Sequence, residues 1–224
     1  MELNQAQKIA ISLLSKSPLK KTFYWTGGTL LAYHYLHHRK SLDLDFFSEQ
    51  SFSFEDIHAL AKTIKEKMGY PDMIYQKIFD RWEFIFKNGN TLRVEFVHYN
   101  HEKKTLKARS TLLGIKIDSL EDIAANKTLA YFDRNEPKDL FDIYFLLTKV
   151  GFSETRLLEL VNKKFGIKFA ESLFWSEAYK SLPLLASIQP LMFGHAQEQT
   201  QLIKTIEDYF KEHSNQYLAK YLKA

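Results

Sequence analysis

Hydrophobic residues at the start of the chain alternate between helical and strand spacing. The apolar residues of 2–17 recur at helical spacing up to Pro18, which predicts an amphipathic first helix. A short aromatic and β-branched run at 22–25 then predicts a strand, and the pair Gly27-Gly28 interrupts it. Good helix formers resume at 30–38. The pattern therefore predicts a helix, a strand, a glycine turn and a second helix.

The middle of the chain is rich in β-prone segments. Strands are predicted over 42–47, 73–79, 81–87, 91–99 and 110–117, with one helix at about 54–67. Between two of these strands lies Asn88-Gly89-Asn90, and an Asn-Gly pair between β-prone runs is a strong hairpin signal. We therefore expect an antiparallel pair at that point.

From residue 119 onwards the spacing is helical to the end. Helices are predicted at about 119–133, 137–149, 154–164, 168–181 and 196–213. The change of period predicts an α+β protein, in which a mixed sheet with flanking helices is followed by a helical region. We place the domain boundary after residue 118, giving domains 1–118 and 119–224.

Composition narrows the class of protein without naming a function. The 224 residues are 45% hydrophobic and 26% charged, which is ordinary globular usage and excludes disordered and fibrous classes. With no cysteine, any metal must bind through carboxylate or imidazole groups. No run approaches the roughly 18 apolar residues of a membrane span, and the first residues do not resemble a signal peptide. The net charge of +4 permits a nucleic-acid partner.

The densest polar signal is the pair Asp43 and Asp45 in a predicted strand. Side chains at i and i+2 share one face of a strand, so the two carboxylates would lie roughly 7 Å apart at the Cα atoms. Hard cations such as Mg²⁺ prefer oxygen ligands, and Glu95, in the middle of another predicted strand, would complete a carboxylate set. The plainer interpretation of the pair is the solvated face of an edge strand.

A glycine turn precedes this pair. Gly27-Gly28-Thr29 ends a predicted strand and opens a helix, and backbone N–H groups at a helix N-terminus suit a phosphate. A Gly-Gly pair is also a common turn with no ligand. The turn alone therefore does not establish a site.

The glycine turn and the acidic pair together form a more specific motif than either alone. The stretch YWTGGTLLA at 24–32, followed by HRKSLDLDFF at 38–47, resembles the nucleotidyltransferase signature of the DNA polymerase β-like superfamily. The residues of this motif are similar to those of the AbiEii/AbiGii toxin family. A second stretch, IAANKTLA at 123–130 with KDLFDIYFLL at 138–147, is similar to that family's later motif. The resemblance covers about 22–150, and 151–224 match nothing that we can name.

The resemblance implies a fold, an activity and a set of partners. It implies a nucleotidyltransferase-like first domain and an enzyme that moves a nucleoside monophosphate from an NTP to a hydroxyl, with Mg²⁺ or Mn²⁺ as cofactor. The acceptor would be RNA, in some members the 3′ end of tRNA, or a protein. It further implies a cytoplasmic toxin of a bacterial toxin–antitoxin or phage-defence pair, with a cognate antitoxin and no membrane partner. The alternative is a non-catalytic protein of the same fold that binds RNA, nucleotide or a partner.

Residue roles follow by the same resemblance. The metal would be held by Asp43, Asp45 and Glu95. The triphosphate would be bound by Gly27, Gly28, Thr29, Lys127 and Arg134. Arg39 and Ser41 would support the site, and Asp139 would close it. Many superfamily members carry Gly-Ser at the glycine pair. The phosphate-contacting hydroxyl would here come from Thr29 or be absent.

Several of the basic residues also have structural interpretations. Ser119 and Asp122 resemble a capping box, and Lys127 then lies on an apolar helical face, where it either snorkels to water or binds phosphate. Asp142, an alternative to Asp139, would be an ordinary i,i+4 partner of Lys138. The basic run at 101–109 is either a solvated loop or a phosphate-contacting patch.

Overall fold

The computed structural model describes residues 1–88, 90–100 and 105–221. Contacts divide the chain into two compact units, the first Met1–Ile123 and the second beginning at Ala124. The sheet lies in the first unit, and the second unit is helical. The division lies within the first helix of the helical region.

In the described part of the first unit there are seven strands and three α-helices. The strands are β1 (Tyr24–Thr26), β2 (Asp43–Ser48), β3 (Asp72–Ile78), β4 (Arg81–Asn88), β5 (Asn90–His98), β6 (Ser110–Leu112) and β7 (Ile115–Ile117). The helices are α1 (Gln5–Lys16), α2 (Gly27–Leu30) and α3 (Phe54–Met68), with a 3₁₀ turn at Pro18–Lys21 and a π-helical segment at Leu31–Leu36.

All seven strands form one mixed sheet in the order β3-β4-β5-β2-β1-β7-β6. The pairs β2–β5 and β1–β7 are parallel, and the other neighbours are antiparallel. This arrangement confirms the predicted α+β class with a mixed sheet. The predicted β4–β5 hairpin is also confirmed by its antiparallel register, although Gly89 itself lies outside the described residues.

Two predicted elements differ in detail from the structure. The single strand expected over 110–117 is a hairpin, because Leu113 and Gly114 adopt left-handed φ values of 51° and 81° and reverse the chain. The helix expected over 30–38 begins earlier, at Gly27, and the π-helical turn ends at Leu36 because His37 has φ 51°. The glycine pair is thus the first turn of the helical segment.

One face of the sheet is the core of the first unit. Alternate residues of β2 are buried, so Leu44 and Phe46 point into that core. The ring of Phe46 lies 5.7 Å from that of Phe96, and the ring of Phe54 in α3 lies 4.2 Å from that of Trp82. Because side chains alternate along a strand, the odd-numbered residues of β2 lie on the opposite face. The predicted separation of Leu44 from the acidic pair is confirmed.

The described residues of the second unit, which end at 221, form five α-helices. They are α4 (Leu120–Asp133), α5 (Pro137–Thr148), α6 (Glu154–Phe165), α7 (Glu171–Ser181) and α8 (Ala196–Tyr221). All five were predicted, but the 3₁₀ segment Leu182–Leu191 was not. Buried Tyr131, Phe174 and Phe210 fill its core, and the Tyr131 hydroxyl donates to the Phe174 carbonyl at 2.6 Å. No helix within the described ranges is long and apolar enough to cross a membrane.

Candidate functional site

The acidic residues of β2 and β5 meet across a parallel strand pair. In that register Asp45 is opposite Glu95 and Asp43 is opposite Arg93. On the other side of β5, Glu83 of β4 is opposite Glu95. Directly opposed residues share a face, so all five side chains lie on the side of the sheet away from the aromatic core.

Arg93 connects these carboxylates. Its guanidinium hydrogen-bonds the Asp43 carboxylate, lies 3.2 Å from Glu83 Oε1 and lies 3.6 Å from Glu95 Oε1. Arg81 supplies a second cation, 3.2 Å from Glu95 Oε2. Sequence reasoning missed Arg81, Arg93 and Glu83. Glu83 could have been found by the same signal as Glu95, because each is a charged residue in the middle of an apolar predicted strand.

Burial and charge set the ionisation of this cluster. Burial raises the pKa of Glu95, and the neighbouring Arg81 and Arg93 offset part of that rise. Burial opposes the charge of Arg93, but the hydrogen bond and charge of Asp43 outweigh it and raise the pKa of the guanidinium. Arg93 therefore remains a cation among the carboxylates.

The carboxylates match Mg²⁺ in chemistry but do not converge on one point. Oxygen ligands from Asp43, Asp45 and Glu95 are the donors that Mg²⁺ prefers, and the strand register makes them neighbours. Within the described part of the chain, no group of three or more His, Asp or Glu side chains is placed to hold a metal ion. Asp43 is instead bound to Arg93. A shared ion would require these side chains to rearrange.

Gly27 leaves room for the Asp45 side chain. Its φ is +80°, a conformation that L side chains rarely adopt, and a Cβ built there would lie 1.9 Å from Asp45 Oδ2. The carboxylate thus lies directly against the backbone that opens α2. Only glycine allows this approach.

The residues before the acidic pair hold β2 in place. The buried Thr29 hydroxyl hydrogen-bonds the Asp43 carbonyl and lies 2.9 Å from Ser41 Oγ. Gln7 of α1 donates to the Ser41 carbonyl at 3.0 Å. Arg39 is buried, and its Nη1 donates to the Lys40 carbonyl at 3.0 Å. In this structure Thr29, Ser41 and Arg39 make contacts within the protein, and those of Thr29 tie α2 to β2.

Within the second unit, α4 and α5 carry a cluster of ionised side chains. Lys127 Nζ lies 2.7 Å from Asp142 Oδ2 and 3.3 Å from Asp139 Oδ1. Arg134 binds Asp139 through two hydrogen bonds, of 2.7 and 2.9 Å. Lys138 contacts Glu136 at 2.7 Å. The Lys127 ammonium is therefore buried against two carboxylates.

This cluster keeps Asp139 ionised. Burial would raise the pKa of Asp139, but hydrogen bonds from Arg134 and the charge of Lys127 outweigh burial and hold the pKa below its usual value. Asp139 therefore links the two cations that the sequence singled out. It is placed to position Lys127 and Arg134.

The basic run at 101–109 is described only in part. Lys103 and Lys104 lie outside the described residues. Lys107 pairs with Glu121, while Arg109 contacts Asp118 at 2.8 Å and Glu49 at 2.7 Å. The described cations of the run therefore have acidic partners, which favours a structural role for them.

A glycine turn, a helical segment and acidic residues on paired strands of a mixed sheet define a nucleotidyltransferase fold. The chain belongs to the AbiEii family, described as the nucleotidyl transferase AbiEii toxin of a type IV toxin–antitoxin system, whose model matches residues 10–215. This finding confirms the family resemblance, and the chain is accordingly a nucleotidyltransferase-family toxin.

Similar proteins span nearly the whole chain. An uncharacterised protein of Aquifex aeolicus (strain VF5), aq_aa25, is 27% identical over 217 residues, covering 97% of this chain and 98% of its own. JHP933 from Helicobacter pylori has a TM-score of 0.59 at 17% identity, covering 98% of this chain and 96% of its own. A second H. pylori structure, described as a candidate nucleotidyltransferase, has a TM-score of 0.58 at 19% identity and 95% coverage of both chains. These structures share the fold.

Proposed function

We propose that this chain transfers a nucleoside monophosphate from an NTP to a hydroxyl acceptor and depends on Mg²⁺ or Mn²⁺. The observation that carries the proposal is the register of β2 and β5. It aligns Asp45 with Glu95, next to Asp43, on one face of the sheet and against the Gly27 turn. Family membership supports the same class of reaction.

In the proposed reaction the acceptor oxygen attacks the α-phosphorus of the NTP. The bond from that phosphorus to the oxygen bridging the β-phosphate breaks, and pyrophosphate leaves with the electron pair. Glu95 takes the proton of the acceptor hydroxyl. Asp43, Asp45 and Glu95 would hold the divalent cation, which supplies charge stabilisation at the attacking and leaving oxygens.

The remaining residues would bind or position the triphosphate. We assign phosphate contacts to the backbone of Gly27 and Gly28, and a positioning role to Thr29, because its hydroxyl is buried against β2. Arg39 and Ser41 also support β2. In the second unit, Lys127 and Arg134 are the proposed phosphate-binding cations, and Asp139 positions both of them.

The proposal also names an acceptor and a cellular location. We propose RNA as the acceptor, in particular a single-stranded 3′ end such as that of tRNA, with a protein hydroxyl as the competing acceptor. The net charge of +4 is compatible with RNA. The reaction would take place in the cytoplasm, and a cognate antitoxin would oppose it.

The test is a labelling assay. Purified protein is incubated with each α-labelled ribonucleoside triphosphate, Mg²⁺ and total bacterial RNA, beside the Asp43→Ala/Asp45→Ala double variant. Asp72→Ala, an exposed acidic residue of the same sheet, is the matched control. We expect label in a discrete RNA band with wild type and the control only. Equal labelling by the double variant would refute the assignment.

One observation favours the non-catalytic alternative. Arg93 pairs with Asp43 and contacts Glu95 and Glu83, so its guanidinium engages carboxylates that a metal ion would also need. Mn²⁺ binding followed by electron paramagnetic resonance distinguishes the two functions. An enzyme should bind Mn²⁺ and lose it in Asp45→Asn, whereas a pure binding module should show no such site.

A further inference from the structure

We propose that a cavity beside Glu95 binds the nucleobase at the 3′ end of a single-stranded RNA acceptor. This inference rests on the proposed function and assigns its acceptor subsite. The cavity has a volume of about 300 Å³. The lining residues that carry the argument are Phe47, Phe79, Arg81, Glu95, Val97 and Tyr99.

The cavity is wide open to solvent, and its aromatic side chains suit one face of a flat heterocycle. The rings of Phe47 and Tyr99 lie 5.1 Å apart, and Val97 is opposite Phe47 in the β2–β5 register. The volume is at the lower end of small-ligand pockets, which fits a single nucleoside rather than a large ligand. Bases stack on aromatic side chains with little dependence on sequence, so this lining is suited to RNA.

Phe79 is the most informative residue of the cavity. It lies at the turn between β3 and β4, its φ is 51°, and it is 92% exposed. Left-handed backbone is costly for a bulky side chain, and glycine or asparagine would adopt it more easily. The exposed ring does not offset this cost by burial in the core. An exposed aromatic ring on strained backbone, beside the acidic site, is therefore a candidate ligand contact.

The cavity is continuous with the acidic site. Glu95 is both a wall of the cavity and the carboxylate that would take the acceptor's proton. Arg81 lies 3.2 Å from Glu95, and its 39% exposed side chain can also donate to a backbone phosphate or a 2′-hydroxyl. A base stacked in the cavity would therefore place its own ribose hydroxyl near Glu95. This geometry favours the acceptor nucleotide over the NTP as occupant.

The test measures RNA binding without turnover. The probe is a short single-stranded RNA, labelled with fluorescein at its 5′ end, with either an intact or an abasic 3′-terminal nucleotide. Fluorescence anisotropy gives its affinity for wild type, Phe79→Ala and Phe79→Trp. The matched control is Leu113→Ala, because Leu113 also lies at a hairpin turn with φ 51° and is 49% exposed.

We expect Phe79→Ala to bind intact RNA about tenfold more weakly, since one stacked base is lost. Phe79→Trp should restore the affinity, and Leu113→Ala should leave it unchanged. The abasic RNA should bind wild type weakly and should lose nothing further in Phe79→Ala. Wild-type affinity of Phe79→Ala for intact RNA, or an equal loss with abasic RNA, would overturn the inference.

Two parallel measurements separate this inference from the proposed function. If Phe79→Ala weakens binding of free NTPs but not of RNA, the cavity holds the substrate base and the acceptor assignment is wrong. If labelling of RNA proceeds equally in wild type and Phe79→Ala, transfer stands and the subsite fails. If binding depends on Phe79 and the terminal base but no NTP labels RNA, the subsite stands and the proposed reaction fails.

Discussion

Replacing Gly27 with alanine should displace a proposed catalytic carboxylate without unfolding the protein. Left-handed φ costs alanine about 1–2 kcal/mol. In addition, the new Cβ would lie 1.9 Å from Asp45 Oδ2, so reaching even a 3.0 Å contact requires a shift of 1.1 Å. Misplacement of a reacting group by about 1 Å can cost about 100-fold in rate. We therefore expect at least that loss in kcat.

Gly151→Ala separates strain from displacement. Gly151 has the same φ of +80°, but a Cβ built on its backbone would meet no atom within 4 Å. Urea unfolding should show a similar backbone penalty in both variants, and the labelling assay should show a rate loss only in Gly27→Ala. If Gly27→Ala remains as active as Gly151→Ala, the contact between Gly27 and Asp45 does not position the site.

Three further outcomes are expected. Lys127→Met should lower the free energy of unfolding by about 3–5 kcal/mol, because two buried carboxylates lose a partner. The control Lys211→Met, from an exposed pair with Glu207, should change it by under about 1 kcal/mol in urea titrations. Because the pKa of Asp139 is lowered in the folded state, its contribution to the free energy of unfolding is present above about pH 4 and is lost as the pH falls further. In Asp139→Asn, the free energy of unfolding should therefore depend less on pH below about pH 4. An unchanged pH dependence in that range would exclude this role. Arg93→Met should lower the melting temperature in EDTA, and Mn²⁺ should restore it more than in wild type; no such difference would contradict the link between Arg93 and the carboxylates.

Local patterns predicted most of the secondary structure. The alternation of Asp43, Leu44 and Asp45 placed two carboxylates on one face, and the structure has that face opposite the aromatic core. The β4–β5 hairpin followed from turn chemistry. Five helices followed from apolar spacing.

The sequence pattern did not predict contacts between residues far apart in the chain. Nothing near Arg93 indicates that its partner across the strand is Asp43, because parallel pairing joins segments far apart in sequence. Glu83 likewise becomes a member of the cluster only through the antiparallel register of β4. The hairpin at Leu113 was missed because leucine rarely adopts a left-handed φ, which left Gly114 as a lone and weak turn signal.

The parallel pairing of β2 with β5 also determines when the acidic cluster can form during synthesis of the chain. Glu95 follows Asp45 by fifty residues, which at about 5–20 residues per second is about 2.5–10 s of synthesis. During that interval the nascent chain carries its acidic pair without the strand that completes the cluster. Under the proposed function, fragments that end before β5 lack Glu95 and should transfer no nucleotide.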